Sequence, residues 1–331
     1  MRARGSAQCQ VLRLRAHAKV NLALRVGARG ADGYHPVATV LQTVGLADRL
    51  IAHRLGTPES PQLADPEEPI HLLVENSALP TDNTVRRAAR LLAGHLFEAG
   101  EEELPALSLR LHKRIPQGAG LGGGSSDAAT TLMACVRMWC DERSWPTAGL
   151  LAELAAEVGA DVPFFLIGGT AMGTGRGDRL RPLPPLPRQW LVLVAPRQRV
   201  STAVAYAAFD SATSPAVGTG AAAAVTPAPT PPPYRPALDA SWMGNDLTAV
   251  VGRVTPAVEE ARHALLAAGA AMAQMSGSGA ASFGAFPDRR GARRAAATLR
   301  AQGWWSCACT TVTARQHLRA AGLAAPAAAN R

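Results

Sequence analysis

Five of the seven residues from Gly118 to Gly124 are glycine, followed by a serine pair and a run of helical spacing. No other stretch limits the fold as tightly. Each glycine costs about 1 kcal/mol of backbone entropy relative to alanine, so a segment this rich must do something that Cβ atoms would prevent. Bare N–H groups let a ligand approach the backbone, and Ser125 and Ser126 open a helix whose first amides are unpaired and whose dipole favours an anion. The segment predicts a phosphate cradle over Pro116, Gln117, Gly118, Ala119, Gly120, Leu121, Gly122, Gly123, Gly124, Ser125 and Ser126. A plain turn capped by Ser125 is the alternative.

Gly118, Gly120 and Gly123 also spell G-x-G-x-x-G, but a dinucleotide fold needs an acidic residue about 20 positions on, after a second strand. Asp141 stands near that distance and follows the helix directly. No lysine follows the glycines, which excludes G-x-x-x-x-G-K-[ST], and the His-Arg-Asp and Asp-Phe-Gly motifs of protein kinases are missing. The loop is a phosphate loop of another kind.

With 331 residues, 47% hydrophobic and 18% charged, the chain suits two domains with buried cores. Its net charge of +9 comes from 34 basic residues, of which only Lys19 and Lys113 are lysine. The arginines are scattered, or paired at helical spacing as in Arg289-Arg290 and Arg293-Arg294, and aromatics do not alternate with them. A solvated surface is expected, with no nucleic-acid partner. Five cysteines without a CxxC pair read as reduced thiols of a cytoplasmic protein. The most apolar long window, 265–286, is too rich in Ala, Gly and Ser to span a bilayer, and no apolar secretory segment opens the chain.

Alternating patterns predict strands over 10–15 and 19–26, and a further apolar stretch over 37–46. Residues 57–69 read as a surface loop, Asp82-Asn83 as a cap for a helix to Leu96, and 107–111 as a strand. Helices are expected over 125–140, 147–158, 256–268 and 289–302, with strands over 189–195, 271–275, 281–286 and 306–312. The order is α+β, divided into 1–188 and 189–315. Residues 1–10 read as a disordered extension, the Ala/Pro/Thr stretch 213–236 as a mobile connection, and 316–331 as a frayed tail.

Lys19 stands in an apolar alternating strand of a chain that otherwise uses arginine. A slim ammonium suits contact with a transferring phosphoryl group or a carboxylate in a narrow site, and an exposed strand lysine is the plain alternative. Asp161, between Ala160 and Val162-Pro163-Phe164-Phe165, is expected to be partly desolvated, which would raise its pKa, while a nearby ammonium would lower it. A turn aspartate is the alternative there. The loops 173–178 and 276–279 are rich in small residues and weak signals on their own.

Taken together, Ala18-Lys19-Val20-Asn21-Leu22, Asp32-Gly33-Tyr34-His35, Arg114-Ile115-Pro116 with the glycine loop, and Gly159-Ala160-Asp161-Val162-Pro163-Phe164 resemble the GHMP kinase superfamily. Gly173-Thr174-Gly175-Arg176-Gly177, Asn245-Asp246-Leu247 and Ser276-Gly277-Ser278-Gly279 complete the series. Asp-Gly-Tyr-His after Lys-Val-Asn points within it to the branch whose acceptor is a cytidine-diphosphate methylerythritol. The resemblance implies a two-domain α+β fold with the active site in the interdomain cleft. It implies ATP with Mg²⁺ as cofactor and a small-molecule acceptor, in a monomer or homodimer. It assigns the ATP phosphates to residues 116–126, catalysis to Lys19 and Asp161, and the cytidine end of the acceptor to Asn21, Tyr34, His35, Thr202 and Tyr206. Ser126 is a candidate for contact with Mg²⁺. The chain departs from the family in its first ten residues, in Pro36 after His35, and in the longer 213–236 stretch.

Overall fold

Apolar residues spaced by two, and by three or four, sort this chain into two sheets and the helices that cover them. The computed structural model describes residues 11–56, 62–141, 144–213, 229–239 and 241–322. The first elements are β1 (Leu12–Val26), β2 (Val37–Arg54), β3 (Ile70–Glu75), α1 (Thr84–Glu98), β4 (Leu107–His112), α2 (Gly123–Trp139) and α3 (Ala148–Val158). Then come α4 (Phe164–Ile167), β5 (Thr170–Thr174), β6 (Arg179–Pro182), β7 (Trp190–Ala195), α5 (Thr202–Thr213), β8 (Gly244–Asn245) and α6 (Thr248–Val254). The chain ends on α7 (Ala257–Ala267), β9 (Met272–Met275), β10 (Ser282–Phe286), α8 (Arg289–Ala301), β11 (Trp305–Thr310) and α9 (Ala314–Ala320).

A seven-stranded sheet runs β3-β4-β2-β1-β8, with β5 and β6 branching from β2, and a four-stranded sheet runs β11-β7-β10-β9. Helices α1 and α2 bury Val85, Leu92, Leu132 and Val136 against one face of the larger sheet, and α3 packs on both with Leu154 in the same core. Strand β7 explains how the two sheets join. Its Leu191 and Leu193 face a core shared with Val20, Leu22 and Val44 of the larger sheet, while Val192 and Val194 face Leu265 and Leu299 of α7 and α8. An apolar run without alternation is what a strand buried on both faces requires.

Several expectations are corrected. From Leu12 on, the two segments expected over 10–15 and 19–26 join into one 15-residue strand, with register shifts at His17/Ala18 and Asn21/Ala23. A bulge moves later side chains to the other face, which breaks the alternation a reader looks for. Strand β2 continues past Leu46 to Arg54 because Asp48, which interrupts the apolar pattern, is fully buried on a salt bridge. Residues 316–320, read as the start of a frayed tail, belong to α9, which begins at Ala314 behind a capping box of Thr313 and Gln316. Its His317 is buried, with Nε2 2.8 Å from the Phe165 carbonyl and Nδ1 3.3 Å from Nδ1 of His17. The readings made for residues 1–10, 57–61, 214–228 and 323–331 fall outside the described residues. Asn83 caps α1 as expected, accepting from the Val85 and Arg86 amides.

Candidate active site

The site grows from the stretch of β1 between its two register shifts. Lys19 and Asn21 are two residues apart and share a face. The Lys19 amide donates to the Leu121 carbonyl at 3.0 Å, so the glycine loop is tied to β1 at the lysine itself. The Lys19 ammonium lies 2.6 Å from Asn21 Oδ1 and 3.4 Å from Asp161 Oδ2. The Lys19 side chain is 4% exposed and that of Asp161 40%, so the pair is sealed at one end and open at the other.

Neighbouring groups fix this geometry. Asn21 Nδ2 donates to Thr39 Oγ1 at 2.8 Å, and that hydroxyl donates to the Ala23 carbonyl at 2.7 Å, which leaves the amide oxygen facing the ammonium. The Asn21 amide donates to Ser276 Oγ at 3.2 Å, and Ser276 Oγ donates to the Gly120 carbonyl at 3.1 Å. Asn245 Nδ2 holds the 276–279 loop through the Met275 and Gly277 carbonyls at 3.1 and 2.8 Å, and Thr202 Oγ1 meets Ser278 Oγ at 3.0 Å. Sequence reading gave Thr39, Ser276 and Asn245 no such bracing role, because their partners lie far away along the chain.

The glycines do more than make room for a ligand. Gly120 and Gly122 have φ of +76° and +69°. A Cβ on Gly120 would lie 2.4 Å from the Ser276 carbonyl oxygen, and one on Gly122 would lie 2.8 Å from the Phe165 ring. These two glycines are required because the protein packs against its own backbone. Ala119 and Leu121 between them anchor in the core at 4% and 1% exposure. The open face belongs to Gly118, whose nearest neighbour is the Arg199 side chain, and to Gly124. Helix α2 begins at Gly123, two residues before Ser125, and its N-cap Gly122 receives no side-chain hydrogen bond. The first amides of α2 therefore have no side-chain cap, and Ser125 is not the cap. Ser126 Oγ is buried without a hydrogen-bond partner, and Gln117 turns its amide to Ser77 and to the Ala78 carbonyl.

A second charged cluster, unseen in the sequence, supports the loop from behind. Lys113 pairs with Asp48 and, at 2.5 Å, with Asp127, whose side chains are 0% and 1% exposed. Burial alone would lower the lysine pKa, but the Asp127 and Asp48 charges outweigh it and push it up. Burial raises the Asp127 carboxyl, opposed by Lys113. Asp48 Oδ1 also accepts from the Arg114 and Ile115 amides, which fixes the approach to the loop.

Of the residues assigned to the acceptor, His35 and Tyr206 come together with ring centroids 5.1 Å apart and nearly parallel. His35 Nδ1 lies 2.9 Å from the Gly27 carbonyl and Nε2 3.1 Å from Asp210. Burial pushes the Tyr206 hydroxyl up to about 12, and the charge of Asp161 adds to the shift. Tyr34 stands apart from this stack, 55% exposed, with the Arg176 guanidinium 3.7 Å above its ring.

Two family models match the chain: the GHMP kinases N-terminal domain over residues 83–169, and the GHMP kinases C-terminal model over 235–303. A 4-diphosphocytidyl-2-C-methyl-D-erythritol kinase of Moorella thermoacetica is 41% identical over 304 residues, covering 87% of this chain and 95% of the relative. The chain belongs to that kinase family. A crystal structure of 4-(cytidine 5'-diphospho)-2C-methyl-D-erythritol kinase aligns with a TM-score of 0.70 at 34% identity, over 91% of this chain and 99% of that one. The mevalonate kinase of L. major in complex with R-mevalonate, at TM-score 0.62 and 13% identity over 94% of this chain and 99% of that one, shares the fold. The α+β GHMP kinase fold expected from the sequence is therefore the fold of this chain, and its family makes it an ATP-using kinase. Among the described residues no helix is long and apolar enough to cross a membrane.

Proposed function

We propose that this chain transfers the γ-phosphoryl group of ATP to the 2-hydroxyl of 4-diphosphocytidyl-2-C-methyl-D-erythritol, in the supply of isoprenoid precursors. One observation carries the reading. The ammonium of Lys19 lies 3.4 Å from the half-open Asp161 carboxylate, and the Lys19 peptide is hydrogen-bonded to the glycine loop. An anion on the loop and an alcohol at Asp161 would therefore meet across one lysine.

The open face at Gly118 and Gly124 and the uncapped first turn of α2 suit the phosphates of ATP. Arg199, beside Gly118, adds a cation at the mouth of the loop. Asp161 orients the acceptor hydroxyl and takes its proton as the phosphoryl group transfers, while Lys19 stabilises charge on the transferring group. Phosphoryl transfer depends mostly on positioning and electrostatics, so the bracing of Lys19 through Asn21 and Thr39 matters as much as its charge. The orphaned hydroxyl of Ser126 fits a divalent cation, and no cluster of three His, Cys, Asp or Glu suited to a metal occurs among the described residues. Ser126 and the ATP phosphates would hold Mg²⁺, which neutralises phosphate charge when bound. The stacked His35 and Tyr206 are read as the cytidine end of the site, with Asn21, Thr202 and Tyr34 as its further contacts. We read residues 1–188 and 189–315 as the two domains between which the substrates bind, in a monomer or homodimer in the cytoplasm.

ADP release measured with a panel of alcohols tests the reading. Turnover only with the cytidylylated methylerythritol, abolished by chelating Mg²⁺, is expected. Equal turnover with mevalonate or homoserine would overturn the choice of acceptor.

A further inference from the structure

A cavity of about 630 Å³ lies away from the reacting groups just described, its walls including Leu46, Lys113, Arg114, Arg293, Arg300 and Trp305. Apart from Lys113, which stands behind Gly123, none of the residues that meet at Lys19, Asp161 or the glycine loop lines it. It sits where α8 and β11 of the smaller sheet face the junction of β2 and β4 in the larger one. Arg293 and Arg300 are seven residues apart, two turns of α8, and so lie on one side of the helix. Arg114 approaches from the opposite wall. Arg114 and Arg300 both lie near enough to the Cys307 thiol to draw down a pKa that burial raises.

The cavity is cationic. No carboxylate is among its lining residues, and the ammonium of Lys113 is already matched by Asp48 and Asp127 behind the wall. Among the described residues neither Arg114 nor Arg293 has an ion-pair partner, and Arg300 donates only to the Ser306 carbonyl, at 3.1 Å. Three guanidinium groups around a concave space repel one another unless an anion joins them, and their planar forks suit phosphate oxygens. The space is larger than a bare phosphate needs. Leu46, Ala296, Trp305 and Ala308 line the remainder, which suits an apolar group of a few carbons.

We propose that this cavity is a second binding site of the enzyme, for an organic diphosphate carrying a short apolar body. The three arginines take the diphosphate, and Trp305 and Leu46 take the apolar part.

Calorimetry of the full chain, with the nucleotide site saturated by ADP and ionic strength held constant, tests this with inorganic pyrophosphate and n-pentyl diphosphate. Both should bind saturably at one site, the alkyl compound at least about tenfold more tightly, because each buried methylene adds about 0.8 kcal/mol. Arg293→Ala should weaken both at least about tenfold without changing kinase turnover, and Arg293→Lys should lie between. Arg290→Ala, on the same helix outside the cavity, should leave binding unchanged. Fluorescence quenching by the alkyl compound should disappear in Trp305→Phe. Absence of saturable binding, equal affinity for the two probes, or equal weakening by Arg290→Ala and Arg293→Ala would each overturn the proposal.

Discussion

The two lysines of this chain stand beside neighbouring glycines of one loop, Lys19 at Gly122 and Lys113 at Gly123, in opposite surroundings. Lys113 faces two carboxylates sealed from solvent, at 0% and 1% exposure, whereas the partner of Lys19 is 40% open. A buried ammonium with satisfied partners cannot leave them, so it fixes structure. An ammonium whose partner opens outward can share its charge with an incoming group. On the proposed function, the same residue type thus braces the loop from behind and serves chemistry in front. Accessibility of the carboxylate makes the difference.

The largest expected effect tests the sealed side. Lys113→Met leaves Asp48 and Asp127 facing each other in the core and should cost about 3–5 kcal/mol of stability, read by denaturant unfolding. A loss under about 1 kcal/mol would show that the triad is not what holds the loop. The open side should respond in the reverse sense. Lys19→Ala should cut turnover severely, by about 100-fold or more, with a smaller loss of stability, and Lys19→Arg should not restore activity because a forked guanidinium does not replace an ammonium. Full rescue by arginine would reduce the role of Lys19 to a diffuse positive charge.

Gly120→Ala comes next. Its Cβ would meet the Ser276 carbonyl oxygen at 2.4 Å in a left-handed conformation, so about 1–3 kcal/mol of stability should be lost. A weakened grip on ATP should accompany the loss. A neutral result would mean that the loop and the 276–279 segment are not packed together.

The last effect, spread over several pH units, concerns neither lysine and serves as a control. Burial holds the His17 pKa near 3 and lowers that of His317, so both are neutral in the fold. The unfolded chain binds protons at these histidines below about pH 6.5 and the native one does not. Stability should therefore fall as pH drops from about 6.5 toward about 3 for His17, by at most about 1.4 kcal/mol per pH unit, and His317 adds in the same direction. Melting temperature against pH should show a flatter acid limb in His17→Gln, and an unchanged slope would contradict the buried neutral pair.

Much of the front side was legible in the sequence. Lys19, Asp161 and the glycine run stood out because a lone lysine among arginines, an aspartate before Val-Pro-Phe-Phe, and five close glycines each break the local composition. The back side was not legible. Asp48 sits in the middle of a strand pattern, Asp127 passes for one more polar residue at a helix start, and Lys113 looks like a strand end. Only the pairing of β2 with β4, and the packing of α2 on them, brings the three together. The bulges in β1 hid its continuity for the same reason, since a shift in register is a property of two strands. The stack of His35 on Tyr206 also joins segments about 170 residues apart, which a family resemblance suggested and no local pattern could.

Steady-state kinetics of Asp161→Asn test the central claim most directly. That carboxylate is expected to act on the acceptor hydroxyl without helping to hold the loop. The account predicts a kcat at least about 100-fold lower, with KM for ATP and the unfolding midpoint nearly unchanged. Turnover close to that of the unmodified enzyme would contradict it.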